Sequence, residues 1–375
     1  MPLLLFSSLL HAYVAWRLVP ALFAAWPVPA AALALLIAAS AVLMPLSFFT
    51  RRARDRRGVE LLAWAGLLLM GLFSSLFVLT VLRDIALLVA GLVPQLAWPA
   101  LAADSAAAVA LLALGATLWG LSNARRTAGV VSVDVPIAGL PPALHGFTIA
   151  QISDIHVGST IKRGYVLAIV DSVNQLQADI VAVTGDLVDG SVADLSQDVA
   201  PLAGLASRHG TFFVTGNHEY YSGADAWIAE LRRIGIRVLM NEHVVLGARG
   251  SALVLAGVTD PSAHHFDPKQ RSDPRAALAG APADASVRVL LAHQPRSAEA
   301  AAEAGFQLQL SGHTHGGQFW PWNLFVPLQQ PFTAGLHRLR NLWVYVSRGT
   351  GYWGPPKRFG APSEITRLRL VPAEA

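Results

Sequence analysis

Aspartate, asparagine and histidine recur in this chain where apolar, strand-like runs stop. Asp154-Ile155-His156 follows Phe147 to Ile152, and Gly185-Asp186-Leu187-Val188-Asp189-Gly190 follows Asp179 to Thr184. Gly216-Asn217-His218-Glu219 follows Thr211 to Thr215, and His293-Gln294-Pro295 follows Val287 to Ala292. Ser311-Gly312-His313-Thr314-His315-Gly316-Gly317-Gln318 follows Phe306 to Leu310. One Asp or Asn at one strand end is explained by a helix cap or an Asx-turn. His293 taken singly reads as a core or rim histidine. Five strand ends carrying oxygen or imidazole groups together exceed what capping explains. In an extended segment residues i and i+2 share a side. Asp154 with His156, and His313 with His315, are therefore each expected to face one small volume.

The chemistry open to Asp154, His156, Asp186, Asn217, His293, His313 and His315 is metal binding. The chain has no cysteine, so disulfides and thiolate ligands are excluded. A mixed carboxylate, amide and imidazole set suits Mn, Fe, Zn or Co better than Ca or an all-oxygen Mg site. Two divalent transition-metal ions need a bridging carboxylate to sit roughly 3.5–4 Å apart. Asp186, central in chain order, is the candidate. Such a pair turns a bridging water into a hydroxide that attacks a phosphoester in line, and it neutralises the phosphoryl oxygens. His218 would donate a proton to the leaving oxygen or stabilise its charge. The alternative is a supporting histidine paired with Glu219 or Asp189.

Asp154-x-His156, Gly185-Asp186-x-x-Asp189-Gly190, Gly216-Asn217-His218-Glu219, His293 and Gly312-His313-x-His315 together resemble the signature blocks of the calcineurin-like metallophosphoesterases, in that family's order. The likeness spans about Phe147 to Leu370. The Gly-Gly-Gln tail after His315 resembles the bacterial YkuE/YaeI-type subgroup, some of which are attached to membranes. The resemblance implies an α/β fold, a four-layer α/β/β/α sandwich. It implies one metal on Asp154, His156, Asp186 and His315, a second on Asp186, Asn217, His293 and His313, and His218 as catalytic proton donor. Glu219 stands where many members have Asp.

The elements that must position these residues follow from pattern. Strands are expected at Val131–Val135, in the five runs above, near Arg237–Met240 and Leu253–Val258, and at Trp343–Ser347 and Glu364–Leu370. Helices are expected at Arg163–Leu176, closing over Gly204–His209, at Ala224–Ile234 and at Ser297–Ala304. Ligands belong at the carboxyl ends of such strands.

The first third differs in kind. Overall the chain is 54% hydrophobic and 14% charged, against roughly 25% charged in ordinary soluble domains. Val28–Phe49, Leu61–Leu82 and Ser105–Ser122 carry no charge, and Leu3–Ala25 is a weaker fourth run. Each approaches the roughly 20 residues that cross a bilayer. Residues 1–126 are thus expected to be a transmembrane region of about four helices, and 127–375 the catalytic domain. A signal peptide does not fit, since no basic stretch precedes Leu3. Arg51-Arg52-Ala53-Arg54-Asp55-Arg56-Arg57 and Arg125-Arg126 mark cytoplasmic ends. They place the catalytic domain in the cytoplasm of a multi-pass inner- or cell-membrane protein. Arg83-Asp84 followed by Ile85–Val93 is the exception, readable as an interfacial helix or an extra span.

The substrate expected is a phospholipid or lipid-linked phosphoester or pyrophosphate. Arg348, Lys357 and Arg358 are the candidates to meet its phosphate; the stretches Pro321–Phe332 and Gly349–Arg358 read either as meeting the bilayer interface or as loops packing on the last strands, since Trp is largely buried on average. The alternatives are soluble nucleotides or phosphoproteins, with the helices as anchor only, or a metal- or phosphate-binding sensor without catalysis. Nucleic acid is not expected, because the basic loop is short and flanked by spans.

Overall fold

The computed structural model describes residues 2–49, 56–96, 98–248 and 251–373. They form two compact units. One runs to Arg125 and includes Gly354–Phe359; the other runs from Arg126 to Trp353 and resumes at Gly360.

The helical unit contains α1 (Pro2–Phe23), α2 (Pro27–Phe49), α3 (Arg56–Leu92) and α4 (Leu101–Arg125). α1 and α3 each pack against both α2 and α4. All four helices are long and apolar enough to cross a membrane. The basic stretch Arg51–Arg57 lies outside the described residues, apart from backbone at the start of α3. Arg83-Asp84 opens neither an interfacial helix nor another span, because α3 continues through both for 37 residues, about 55 Å at 1.5 Å per residue. Continuation is tolerated because both charges are partnered. Arg83 donates to the Ala102 carbonyl and the Ser105 hydroxyl, each at 2.9 Å. Asp84 accepts from Arg17 at 2.8 Å and Tyr13 at 2.7 Å.

Gly354–Phe359 belongs to this unit through specific bonds. The Lys357 ammonium donates to the Gly71 carbonyl at 2.9 Å, to the Ser75 hydroxyl, and to the Thr117 hydroxyl at 3.3 Å. The Arg358 N–H donates to the Gly120 carbonyl at 2.9 Å, and Asn123 donates to the Arg358 carbonyl at 3.2 Å. The expectation that Lys357 and Arg358 meet a substrate phosphate is therefore corrected. Both are buried, and the lysine's hydrogen-bonding capacity is taken up among α3 and α4.

The second unit is built on two six-stranded sheets. The first has the order β1 (Gly129–Ile137), β12 (Glu364–Pro372), β2 (Thr148–Ile152), β3 (Ile180–Val183), β4 (Thr211–Phe213), β5 (Arg237–Val238). The second has the order β10 (Gly335–Leu339), β11 (Leu342–Val346), β9 (Leu308–Ser311), β8 (Val287–Leu291), β7 (Ser251–Gly257), β6 (Glu242–Ala248). Ile149, Phe212 and Leu368 from the first sheet and Leu255, Val289 and Leu310 from the second share one buried core. Burial of each such side chain stabilises by roughly 1.5–3 kcal/mol. On its other face the second sheet packs Leu290, Val344 and Val346 against Ala298 and Ala301 of α9 (Ala298–Glu303). Helices α5 (Arg163–Asn174), α6 (Val192–Val199) and α8 (Ala224–Arg233) pack side by side, with α8 against β5 of the first sheet. The result is the expected four-layer α/β/β/α sandwich.

Two details differ from the sequence expectation. α6 ends at Val199 rather than over Gly204–His209, because Pro201 lacks an N–H to continue it. β6 and β10 are added as antiparallel partners of β7 and β11. The pairs β2–β3, β3–β4 and β8–β9 are parallel, so each sheet sends its loops out at one edge.

Candidate metal centre

The candidate ligands come from loops at those strand ends, in backbone conformations that strands do not supply. Asp154, His156, Asp186, His313 and His315 all have positive φ, between 51° and 70°. His313 and His315 are thus not on an extended segment, and the shared-side argument for them fails. Their rings diverge. His315 Nε2 lies 3.4 Å from Asp154 Oδ1 and 3.1 Å from His156 Nε2. His313 Nδ1 lies 3.2 Å from His293 Nε2. The backbones crowd closely: a Cβ on Gly312 would stand 2.0 Å from Ser153 Oγ and 2.1 Å from Asp154 Oδ2. Only glycine fits there.

Among the described residues three groups of potential ligands result, Asp154–His156–His315, Asp186–His293–His313 and His156–Asp189–His218; the first two hold the expected ligands. Asp186 links them. Its Oδ1 accepts the His218 backbone N–H at 2.9 Å. Its Oδ2 lies 3.1 Å from His293 Nε2, 3.9 Å from His156 Nε2 and 4.0 Å from His218 Nε2. Asn217, the first residue of α7 (Asn217–Ser222), has a buried side-chain oxygen with no hydrogen-bond partner. A buried orphan acceptor is costly, and a cation beside it would remove that cost. His293 Nδ1 donates to the Thr184 carbonyl at 2.8 Å, leaving Nε2 to face Asp186. This donor set fits two borderline divalent cations.

Asp189 does more than the sequence showed. Its Oδ1 accepts from His156 Nδ1 at 3.0 Å and from His218 Nδ1 at 2.6 Å. One carboxylate oxygen therefore orients both rings and turns both Nε2 atoms toward Asp186. Glu219 has a comparable role for the backbone. It accepts from the N–H groups of Gly216 (2.6 Å), Leu187 (2.7 Å) and Asp186 (3.0 Å). A shorter Asp would have to move the helix to do so.

The electrostatics follow from burial and crowding. Burial disfavours the charged form of His156, but the charge and hydrogen bond of Asp189, with Asp186 and Asp154 behind it, outweigh this and push it up to about 9. Burial, aided by the His293 charge, pushes His313 down to about 3. Burial and the Asp186 charge push Glu219 up to about 8. Burial would raise Asp186, yet the surrounding His293, His218 and His156 hold it well below the usual carboxylate range.

Of the three basic residues expected at the substrate, only Arg348 belongs to this unit. Its Nε is 3.4 Å from Glu364 Oε2, and its side chain stays one-third exposed beside Gly316. Arg296 escaped the sequence reading. It is exposed, its charge bears on His313, and it follows His293-Gln294-Pro295 directly. An aromatic rim also emerges. Tyr221 and Trp353 meet the His218 ring edge-on at 5.4 and 5.9 Å, and Phe266 packs on Tyr221 at 5.7 Å.

The two-sheet sandwich gathers six such side chains around one shared carboxylate, a donor set suited to paired metals. The calcineurin-like phosphoesterase profile matches residues 147–317. An uncharacterized metallophosphoesterase of Aquifex aeolicus is 33% identical over 59% of this chain and 84% of its own length. The uncharacterized metallophosphoesterase YkuE of Bacillus subtilis is 28% identical over 62% of this chain and 81% of its own. A bovine transmembrane protein with metallophosphoesterase domain is 42% identical over 68% of this chain. That alignment spans about 60% of the bovine protein's length. The chain belongs to the calcineurin-like metallophosphoesterase family.

Proposed function

We propose that this protein is a membrane-tethered phosphoester hydrolase that uses two divalent metal ions and acts on a phospholipid or lipid-linked phosphoester. The observation that carries the reading is Asp186 Oδ2, placed within 4.0 Å of histidines from both ligand groups. Asp154, His156, Asp186 and His315 would hold one ion, and Asp186, Asn217, His293 and His313 would hold the other. Bound there, the two ions supply positive charge for the phosphoryl oxygens and a lowered pKa for attacking water. The chain's own residues do the rest. Asp189 fixes His218 so that Nε2 faces the reacting centre and holds a proton for the leaving oxygen. Arg296 and Arg348 supply positive charge at the rim.

The tether is the four apolar helices. Arg125 at the end of α4 stacks over the Trp64 ring near the start of α3, at 5.2 Å. The end of α4 and the start of α3 thus lie at one end of the bundle, and the basic runs Arg125-Arg126 and Arg51–Arg57 adjoin those helix ends in sequence, which supports a cytoplasmic catalytic unit by the positive-inside rule. The test uses intact protein in detergent with Mn²⁺. Bis(p-nitrophenyl) phosphate should be hydrolysed, and Asp186→Ala should abolish it. Metal binding without turnover of any phosphoester would refute the reading. A reporter fused after Thr127 that is active only outside the cytoplasm would reverse the topology.

A further inference from the structure

The segment after His315 has a surface that the metal chemistry does not use. Residues 304–337 contain no Asp, Glu, Lys or Arg. Within them, Trp320, Trp322, Leu324, Phe325 and Leu328 all lie exposed, Leu324 by 63% and Leu328 by 80%. Large apolar side chains exposed together, rather than singly, mark a binding surface. The segment is nonetheless firmly placed. The Asn323 backbone presses on Gly317, where an added Cβ would meet Asn323 Cα at 2.1 Å. Two single turns, Trp322–Leu324 and Val326–Leu328, hold the side chains outward. At the far end the Arg296 guanidinium donates to the Gln329 carbonyl at 3.1 Å, and the Gln330 side-chain oxygen accepts the Arg296 N–H. At the near end Gln318 exchanges two hydrogen bonds with the Trp353 backbone, each at 2.8 Å, and Trp353 lies against His218.

We infer that Trp320–Leu328 is a lipid-docking ridge that seats the catalytic unit on the surface of an anionic bilayer. Three properties select this occupant. The ridge carries no charge to desolvate, and its tryptophans suit the headgroup boundary. A cation, Arg296, stands at its end to complement headgroup phosphate. Only three residues separate the end of α4 at Arg125 from β1 at Gly129, a tether of at most about 15 Å of extended chain. The ridge begins one residue past His315-Gly316-Gly317-Gln318, so a docked ridge brings the candidate centre to the headgroup layer. The inference rests on the membrane reading and not on turnover.

The cysteine-free chain allows a direct test. Leu328→Cys, labelled with an environment-sensitive fluorophore, is reconstituted in full-length protein into vesicles containing phosphatidylglycerol. Leu111→Cys on α4, 70% exposed, is the membrane control, and Ala203→Cys the aqueous one. The Leu328 label should be quenched by doxyl lipid and shielded from iodide, as at Leu111. Iodide quenching without doxyl quenching would overturn the inference. Shielding from both quenchers would do so too, showing that a second protein surface covers the ridge. If the Leu111 label also escapes doxyl lipid, the membrane reading itself has failed. As a functional readout, Leu324→Ser with Leu328→Ser should lower turnover of vesicle-borne phosphoester about tenfold, less than full burial of two leucines would give. Hydrolysis of soluble bis(p-nitrophenyl) phosphate should stay unchanged. Equal loss on both substrates would refute docking.

Discussion

Asp189→Asn is the most informative single change, because one oxygen serves two histidines. Asparagine keeps the shape and removes the charge. Two charge-assisted bonds to one oxygen, at 3.0 and 2.6 Å, become at best two weaker bonds to a neutral amide oxygen. Hydrogen bonds to charged groups contribute about 1.5–3 kcal/mol each, so a loss near 3 kcal/mol, about 100-fold in kcat/KM, is expected. The effect should divide. Through His218 it should lower kcat; through His156 it should weaken metal binding. A cycle with His218→Ala separates the two. On the His218→Ala background Asp189→Asn should cost little further kcat at saturating Mn²⁺, yet still reduce metal affinity in a titration. The reasoning fails if Asp189→Asn leaves both kcat and metal affinity within threefold of the parent at pH 7.

Four further outcomes follow. His315→Ala and His313→Ala should each leave about one tightly bound ion per chain instead of two, measured by elemental analysis after desalting; loss of both ions in either variant would contradict two separate groups. His156, raised to about 9 by its carboxylate neighbours against the opposing effect of burial, must lose a proton to bind metal. Apparent affinity should therefore climb by about tenfold per pH unit toward pH 9, and a flat profile would show that His156 is not a ligand. In metal-free protein the same raised value stabilises the fold fully below about pH 6.5 and is lost as pH rises through about 9, so EDTA-treated protein should melt lower at pH 9.5 than at pH 6.5. Lys357→Met should lower thermal stability by about 1–3 kcal/mol with KM unchanged; a raised KM at unchanged stability would restore it as a substrate contact.

Much of the candidate centre was legible because ligand-type residues stop strands, and strand ends are visible as apolar runs. The four apolar helices were legible for a similar reason: an uncharged run of about 20 residues carries its own signature. Other features depend on what is distant in sequence. The extended-segment argument placed His313 and His315 in one volume, whereas φ values of 70° and 52° send them to different groups; no periodicity encodes a left-handed residue. Asp189 stood out as a possible partner of His218, but its second bond, to His156, is a matter of tertiary placement. Arg83-Asp84 looked like a break in a span because a charge in an apolar run reads as a boundary. Its partners Arg17, Tyr13 and Ser105 lie on other helices. Lys357 beside Arg358 read as a phosphate-binding pair until burial among Gly71, Ser75 and Thr117 removed it.

The left-handed ligands bear on how such a site endures. A non-glycine residue in that region costs on the order of 1–3 kcal/mol. Five of them, at Asp154, His156, Asp186, His313 and His315, together approach the whole net stability of a typical domain, about 5–15 kcal/mol. A lineage released from the need for this chemistry would gain stability by placing glycine at any one of them. Decay would thus begin at the centre itself and would run downhill. An intact set is a steady load that mutation tends to relieve.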